Sequence, residues 1–145
     1  MIVILLAYTA CGCNILISAW NDNSKMSYKF NDMEFLPLQS EGQLEKIAEA
    51  TGSNIIFKHN TTCPISRSVK QKLEEDADTI PATTPFYILD LLAHRDISDS
   101  IADTFNVPHA SPQLLLIKNG KCIYNESLYN ISAEETAFAL ETVNS

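Results

Sequence analysis

The sequence predicts an α/β domain, a mixed four-stranded sheet covered by helices on both faces. Three observations lead there. The β-rich run "NIIFKH", Asn54 to His59, is soon followed by a helical pattern that opens on a proline. "PFYILDLL", Pro85 to Leu92, is an almost unbroken apolar run of the kind found in a strand covered on both sides. "SPQLLLIKNGKCIYNESL" holds two apolar runs joined by Asn119-Gly120, the strongest short hairpin signal available.

The helices follow from periodicity and caps. "SEGQLEKIAEA" opens with a capping box, Ser40 with Gln43, and sets Leu44, Ile47 and Ala48 on one face before Thr51-Gly52 ends it. "SRSVKQKLEE", after Pro64, has helical composition with mixed charges. Ile97, Ile101, Ala102 and Phe105 recur at helical spacing. "SAEETAFALETV" carries a second capping box, Ser132 with Glu135, and an apolar face of Ala133, Ala137 and Leu140. The order is α-β-α-β-α-β-β-α. Strands joined through a helix run parallel with a right-handed crossover, whereas the hairpin adds an antiparallel pair. That arrangement is the thioredoxin fold, and it sets the loop holding Cys63 beside the loop holding Ser111-Pro112.

The 145 residues, 46% of them hydrophobic, suffice for one domain with one sizeable core. A formal charge of -8 argues against sequence-independent binding to nucleic acid or to an anionic membrane surface, since both need a basic face. Small molecules and proteins remain as partners. Cys11, Cys13, Cys63 and Cys122 form no regular disulfide framework, and "CGC" lacks the companions of a zinc site, so no metal is expected. Asn60, Asn125 and Asn130 open Asn-x-Ser/Thr triplets, which carry meaning only in a eukaryotic secretory setting.

"MIVILLAYTACGCNILISAW" contains no charged side chain. It reads as a signal or membrane anchor without the usual positive start, or as an artefact upstream of a true start at Met26. Residues 1–32 are therefore set apart as an apolar segment and linker, and residues 33–145 as the domain. The two readings place the protein at a membrane or outside the cell, or in the cytoplasm.

The chemistry centres on "HNTTCPISRSVK", His59 to Lys70. Pro64 suits the first position of a helix, where a missing N–H costs nothing, so Cys63 becomes the N-cap. Unpaired N–H groups and the positive end of the helix dipole favour a thiolate there, and Lys58, His59, Arg67 and Lys70 add local positive charge. Ser66 stands where a Cys-x-x-Cys motif would carry its resolving thiol. Ser66 can offer an O–H to the Cys63 sulfur, and an outside thiol must resolve any mixed disulfide on Cys63. The bland alternatives are a packed thiol at Cys63, a plain first-turn serine at Ser66 and a satisfied histidine at His59. His94 and His109 are not assigned to catalysis. A cis Ser111-Pro112 would leave the Ser111 backbone free to pair with a bound peptide or thiol conjugate, the alternative being a trans proline at a strand start. Cys122, in the second hairpin arm, reads as a packed thiol rather than a resolving one.

From about Met33 to Leu140 the chain resembles the monothiol bacilliredoxin family, the YtxJ-like redox proteins of the bacillithiol system. The stretches that carry the resemblance are "FKHNTTCPISRSV", "FYILDLLAHRDISDSIADTFNVPHASPQ" and "LLLIKNGKCIYNESLYNIS", in order and with family-like spacing. The resemblance implies a cytoplasmic thioredoxin-like oxidoreductase that removes bacillithiol from protein mixed disulfides. Cys63 would attack, Ser66 would replace the resolving cysteine, and Pro112 would be the cis-proline beside them. Thr62, Pro64 and Ser111 would line the thiol and substrate site. No cofactor would be bound; bacillithiol would be a co-substrate, S-bacillithiolated proteins the partners, and a low-molecular-weight thiol or a reductase the source of electrons. "SLYNIS" departs from relatives that carry His and Trp after the hairpin, and the N-terminal apolar segment lies outside the pattern.

Other functions remain open on the residues alone. "CPISR" is also similar to arsenate reductases, but Arg67 and Arg95 are the chain's only arginines, few for an oxyanion site. "CPIS" lacks the Gly-Phe of iron-sulfur monothiol glutaredoxins. A non-catalytic adaptor that binds a partner protein through the same fold is the alternative from a different class, and it would tolerate loss of Cys63.

Overall fold

The computed structural model describes residues 34–145. The apolar segment, Cys11, Cys13 and the start at Met26 lie outside the described residues. In order come β1 (Phe35–Pro37), α1 (Glu41–Glu49), β2 (Ser53–His59), α2 (Pro64–Glu75), a 3-10 turn (Ala77–Thr79), β3 (Phe86–Asp90), α3 (Arg95–Phe105), β4 (Gln113–Lys118), β5 (Lys121–Ser127), a second 3-10 turn (Leu128–Asn130) and α4 (Ala133–Asn144).

The sheet has five strands in the order β1-β3-β2-β4-β5, one more than expected. The added strand, β1, is three residues long and includes Pro37, so nothing in its composition marks a strand. It forms because the outer edge of β3 offers free backbone groups: β1 pairs with β3 in parallel, and Leu38 N–H continues the ladder to Ile88 O at 2.9 Å. An edge is also where a sheet accepts proline. Phe35 then meets Phe86 edge-on, with ring centroids 5.0 Å apart. β2 and β3 run parallel and β4 and β5 form a hairpin, as expected, but β4, although joined to β3 through α3, pairs with β2 on its other side and runs antiparallel to it.

Alternation along the central strands divides the core between two faces. Ile55, Phe57, Leu114 and Leu116 pack with Val69 and Leu73 of α2 and with Ala137 and Leu140 of α4. Ile56, Leu115 and Ile117 pack with Leu44 and Ile47 of α1 and with Ile97, Ile101 and Phe105 of α3. The same alternation places Lys58 on the α1/α3 side and His59 on the α2/α4 side.

The expected caps form, one of them in half. Ser40 Oγ accepts from Gln43 N–H while Gln43 Oε1 accepts from Ser40 N–H, which completes the first box. At α4 Ser132 Oγ accepts from Glu135 N–H at 3.5 Å without a reciprocal bond from the Glu135 side chain. The hairpin turns through Asn119 (φ 51°) and Gly120 (φ 69°), both left-handed. A Cβ on Gly120 would lie 2.6 Å from Ala48 O, so the turn also needs glycine to sit against the end of α1. β3 is shorter than the apolar run suggested, because Asp90 Oδ1 accepts from Leu92 N–H and turns the chain at Asp90. Among the described residues no helix is long and apolar enough to cross a membrane.

Candidate functional site

Cys63 is the N-cap of α2, with extended backbone (φ -83°, ψ 122°), and Pro64 follows at the first helical position. The turn that delivers it is built by Asn60. Asn60 O accepts from Cys63 N–H at 3.1 Å, and Asn60 Oδ1 accepts from both Thr62 N–H and the Thr62 hydroxyl. A side-chain oxygen that imitates a backbone turn holds the loop without a glycine. Cys63 is half-buried and Thr62 and Pro64 are exposed, so the sulfur lies at the surface end of the sheet.

Ser66 faces inward and is completely buried. Its hydroxyl oxygen accepts from Asn60 N–H at 2.9 Å and lies 2.7 Å from His59 Nδ1. No hydrogen bond joins it to the Cys63 sulfur among the described residues. The expected O–H···S contact is therefore replaced by a bond back to the strand end, because the first turn of α2 rotates Ser66 onto the sheet. His59 is the satisfied histidine of the bland reading. It is buried, stacks on Phe57 with centroids 5.7 Å apart, and sits below its ordinary pKa through burial and then the charge of Lys70, against the pull of Asp90 and Glu74.

Ser66→Ala would strand the Asn60 N–H and unpair His59 Nδ1. We expect it to lower stability by about 1–3 kcal/mol, measured by urea unfolding. Faster amide exchange at Asn60 should accompany the loss, and unchanged stability and exchange would contradict the assignment.

The Ser111-Pro112 peptide is cis. Pro112 is buried, and Ser111 Oγ is shielded without a hydrogen-bond partner among the described residues. β4 starts at Gln113, which pairs in register with Lys58, so Pro112 stands at the same end of the sheet as the Cys63 turn. Pro112 O accepts from Leu128 N–H at 3.1 Å, which draws the "SLYN" segment to this end as well. Leu128 there has φ 56°, and Leu128 and Tyr129 are exposed. Cys122 lies elsewhere. It pairs with Ile117, four residues up β4 from Gln113 and so roughly 14 Å along the sheet. Its S–H donates to Tyr124 O at 3.3 Å, and burial pushes the thiol up.

The sequence offers Lys58 only as a source of local charge and gives His109 no role, yet the fold joins them. Lys58 is fully buried, and its Nζ lies 2.9 Å from His109 Nδ1 and 3.4 Å from Ser98 O. The available signal was a lysine inside an otherwise apolar strand.

Comparison with known proteins agrees with this architecture. A solved thioredoxin-fold protein shares 31% identity over 72% of this chain and 91% of its own, with a TM-score of 0.62. The thioredoxin of Trypanosoma brucei brucei matches at 15% identity over 80% of this chain and 96% of its own, with a TM-score of 0.60. Thioredoxin Mala s 13 of Malassezia sympodialis matches at 17% identity over 77% and 92%, with a TM-score of 0.61. These last two show the fold alone. The family described as monothiol bacilliredoxin BrxC matches residues 36–136, a span that takes in the Cys63 turn, Ser66 and the Ser111-Pro112 loop. With a thioredoxin fold and a cysteine-proline helix start that lacks a second thiol, the chain belongs to the monothiol bacilliredoxin BrxC family of redox proteins.

Proposed function

We propose that this protein is a monothiol thiol-disulfide oxidoreductase that removes bacillithiol, or a similar low-molecular-weight thiol, from protein mixed disulfides. The observation that carries the reading is Cys63 at the N-cap of α2, at the surface, with a serine and not a thiol one turn further on. Cys63 thiolate attacks the small-thiol sulfur of the mixed disulfide; the S–S bond breaks, the substrate cysteine leaves as a thiolate and takes a proton from solvent. Cys63 is left disulfide-bonded to the small thiol. A second small thiolate, or the thiolate of a reductase, attacks that small-thiol sulfur and restores the Cys63 thiolate.

Thr62, Pro64, Ser111 and Pro112 border the path of the incoming disulfide in this reading, and Ser66 acts by shaping the turn. No cofactor is bound; bacillithiol is the co-substrate and S-bacillithiolated proteins are the partners. The setting is the cytoplasm, where thiols are kept reduced. Intact-mass spectrometry after incubation with a bacillithiol-modified protein tests this, with a glutathione-modified protein as control. The expected result is transfer of one bacillithiol mass to wild type, release of reduced substrate, and no transfer to Cys63→Ser. Absence of transfer from either substrate would overturn the reading in favour of a partner-binding adaptor.

A further inference from the structure

The segment between α3 and β4, residues 106–112, carries Ser111-Pro112 but has little regular structure of its own. It is held from beneath. Gln113, 2% exposed, donates from Nε2 to Pro108 O at 3.0 Å and accepts from Ala110 N–H at 3.3 Å. Lys58, 0% exposed, reaches up from β2 to His109 Nδ1, while Ser98 Oγ lies 3.2 Å from the same nitrogen. His109 itself lies at the surface and closes over the lysine head.

An ammonium group has donors and no acceptor. A 2.9 Å contact from protonated Lys58 therefore requires His109 Nδ1 to be the acceptor, which puts the imidazole proton on Nε2 and leaves the ring neutral. Burying a lysine is costly unless its protons find partners, so the position has a use beyond packing.

We infer that Lys58 and His109 are positioning residues that hold the 107–111 loop in the form that presents Ser111 to a bound disulfide partner. This rests on the oxidoreductase reading for its activity readout and on the loop geometry for its structural one. Acid breaks the device. A proton on His109 Nδ1 removes the acceptor and sets two cations face to face, with Asp99 of α3 as the offsetting carboxylate and Arg95 adding repulsion. Burial, then Lys58, hold His109 below its ordinary pKa, with Arg95 acting the same way and Asp99 opposing, so release comes on the acid side of neutrality.

The test compares wild type with Lys58→Met, His109→Leu and His109→Asn. Asparagine is chosen because its Oδ1 occupies the place of Nδ1 and accepts without titrating. Measured are KM and kcat for reduction of a protein mixed disulfide from pH 5.5 to 8.5, and amide exchange at Ala110. Lys58→Met and His109→Leu are expected to raise KM about tenfold, the loss of one charge-assisted hydrogen bond, with kcat little changed and Ala110 exchange accelerated. His109→Asn is expected to restore KM and Ala110 protection and to flatten the rise in KM at low pH. Wild-type KM and wild-type Ala110 protection in Lys58→Met and His109→Leu would overturn the inference. Should wild type itself transfer no thiol, the oxidoreductase reading falls while Ala110 exchange still decides the loop.

Discussion

Phe57→Ala is expected to lower the free energy of unfolding by about 3–5 kcal/mol. Phe57 is fully buried on the α2/α4 face, among Ile55, Val69, Leu73 and Leu114. Its strand is paired on both sides, so the backbone around the cavity cannot close in. The cost then includes an unfilled space as well as lost burial. Phe57 also supports His59 by stacking, and His59 meets Ser66 behind the Cys63 turn. Loss of the ring should therefore loosen the turn before the rest of the sheet unfolds. Urea unfolding followed by circular dichroism measures the first effect, and amide exchange at Asn60 and Cys63 measures the second. A loss under about 1 kcal/mol would mean that the site collapses around the gap.

The second large effect is a pH dependence of stability carried by Lys58. Burial pushes its pKa from 10.5 down to about 8, against the pull of Asp99. The folded state then binds fewer protons than the unfolded chain between those two values. Stability from this group rises as pH climbs from about 8 to about 10.5, by at most a tenfold change in the folding constant for each pH unit. Below pH 8 the full cost of the buried charge is present. Lys58→Met keeps the length of the side chain and removes the charge, so it is expected to be more stable than wild type at pH 7, with the gap closing by pH 10.5. Subtracting the two unfolding curves cancels the other titrations. A gap that stays constant from pH 7 to 10.5 would contradict the assignment. A more stable variant that binds substrate less well would mark Lys58 as a residue kept for function at a cost in stability.

The parts of this protein that were legible in its sequence are those with short-range physical causes. Helix faces follow from the 3.6-residue period, the Ser40-Gln43 box from neighbours three residues apart, the hairpin from two residues that tolerate positive φ, and the Cys63 helix start from the proline after it. β1 was not legible because its three residues become a strand only by pairing with the edge of β3. The length of β3 depended on one side chain, Asp90, taking the N–H of Leu92.

The same division runs through the site. Sequence alone determined that Cys63 caps a helix, that no second thiol follows it one turn on, and that a Ser-Pro pair precedes the hairpin, since each is a matter of adjacent residues. Tertiary structure decided what those residues touch. Ser66 turns to His59 and Asn60, away from the sulfur, because the first turn of α2 packs on the end of β2. Lys58 and His109, 51 residues apart, meet because β2 and β4 pair and α3 closes over them. Local sequence sets the intrinsic preferences of a segment, but the partner of a buried polar group is chosen by which distant surface the fold brings within 3 Å of it.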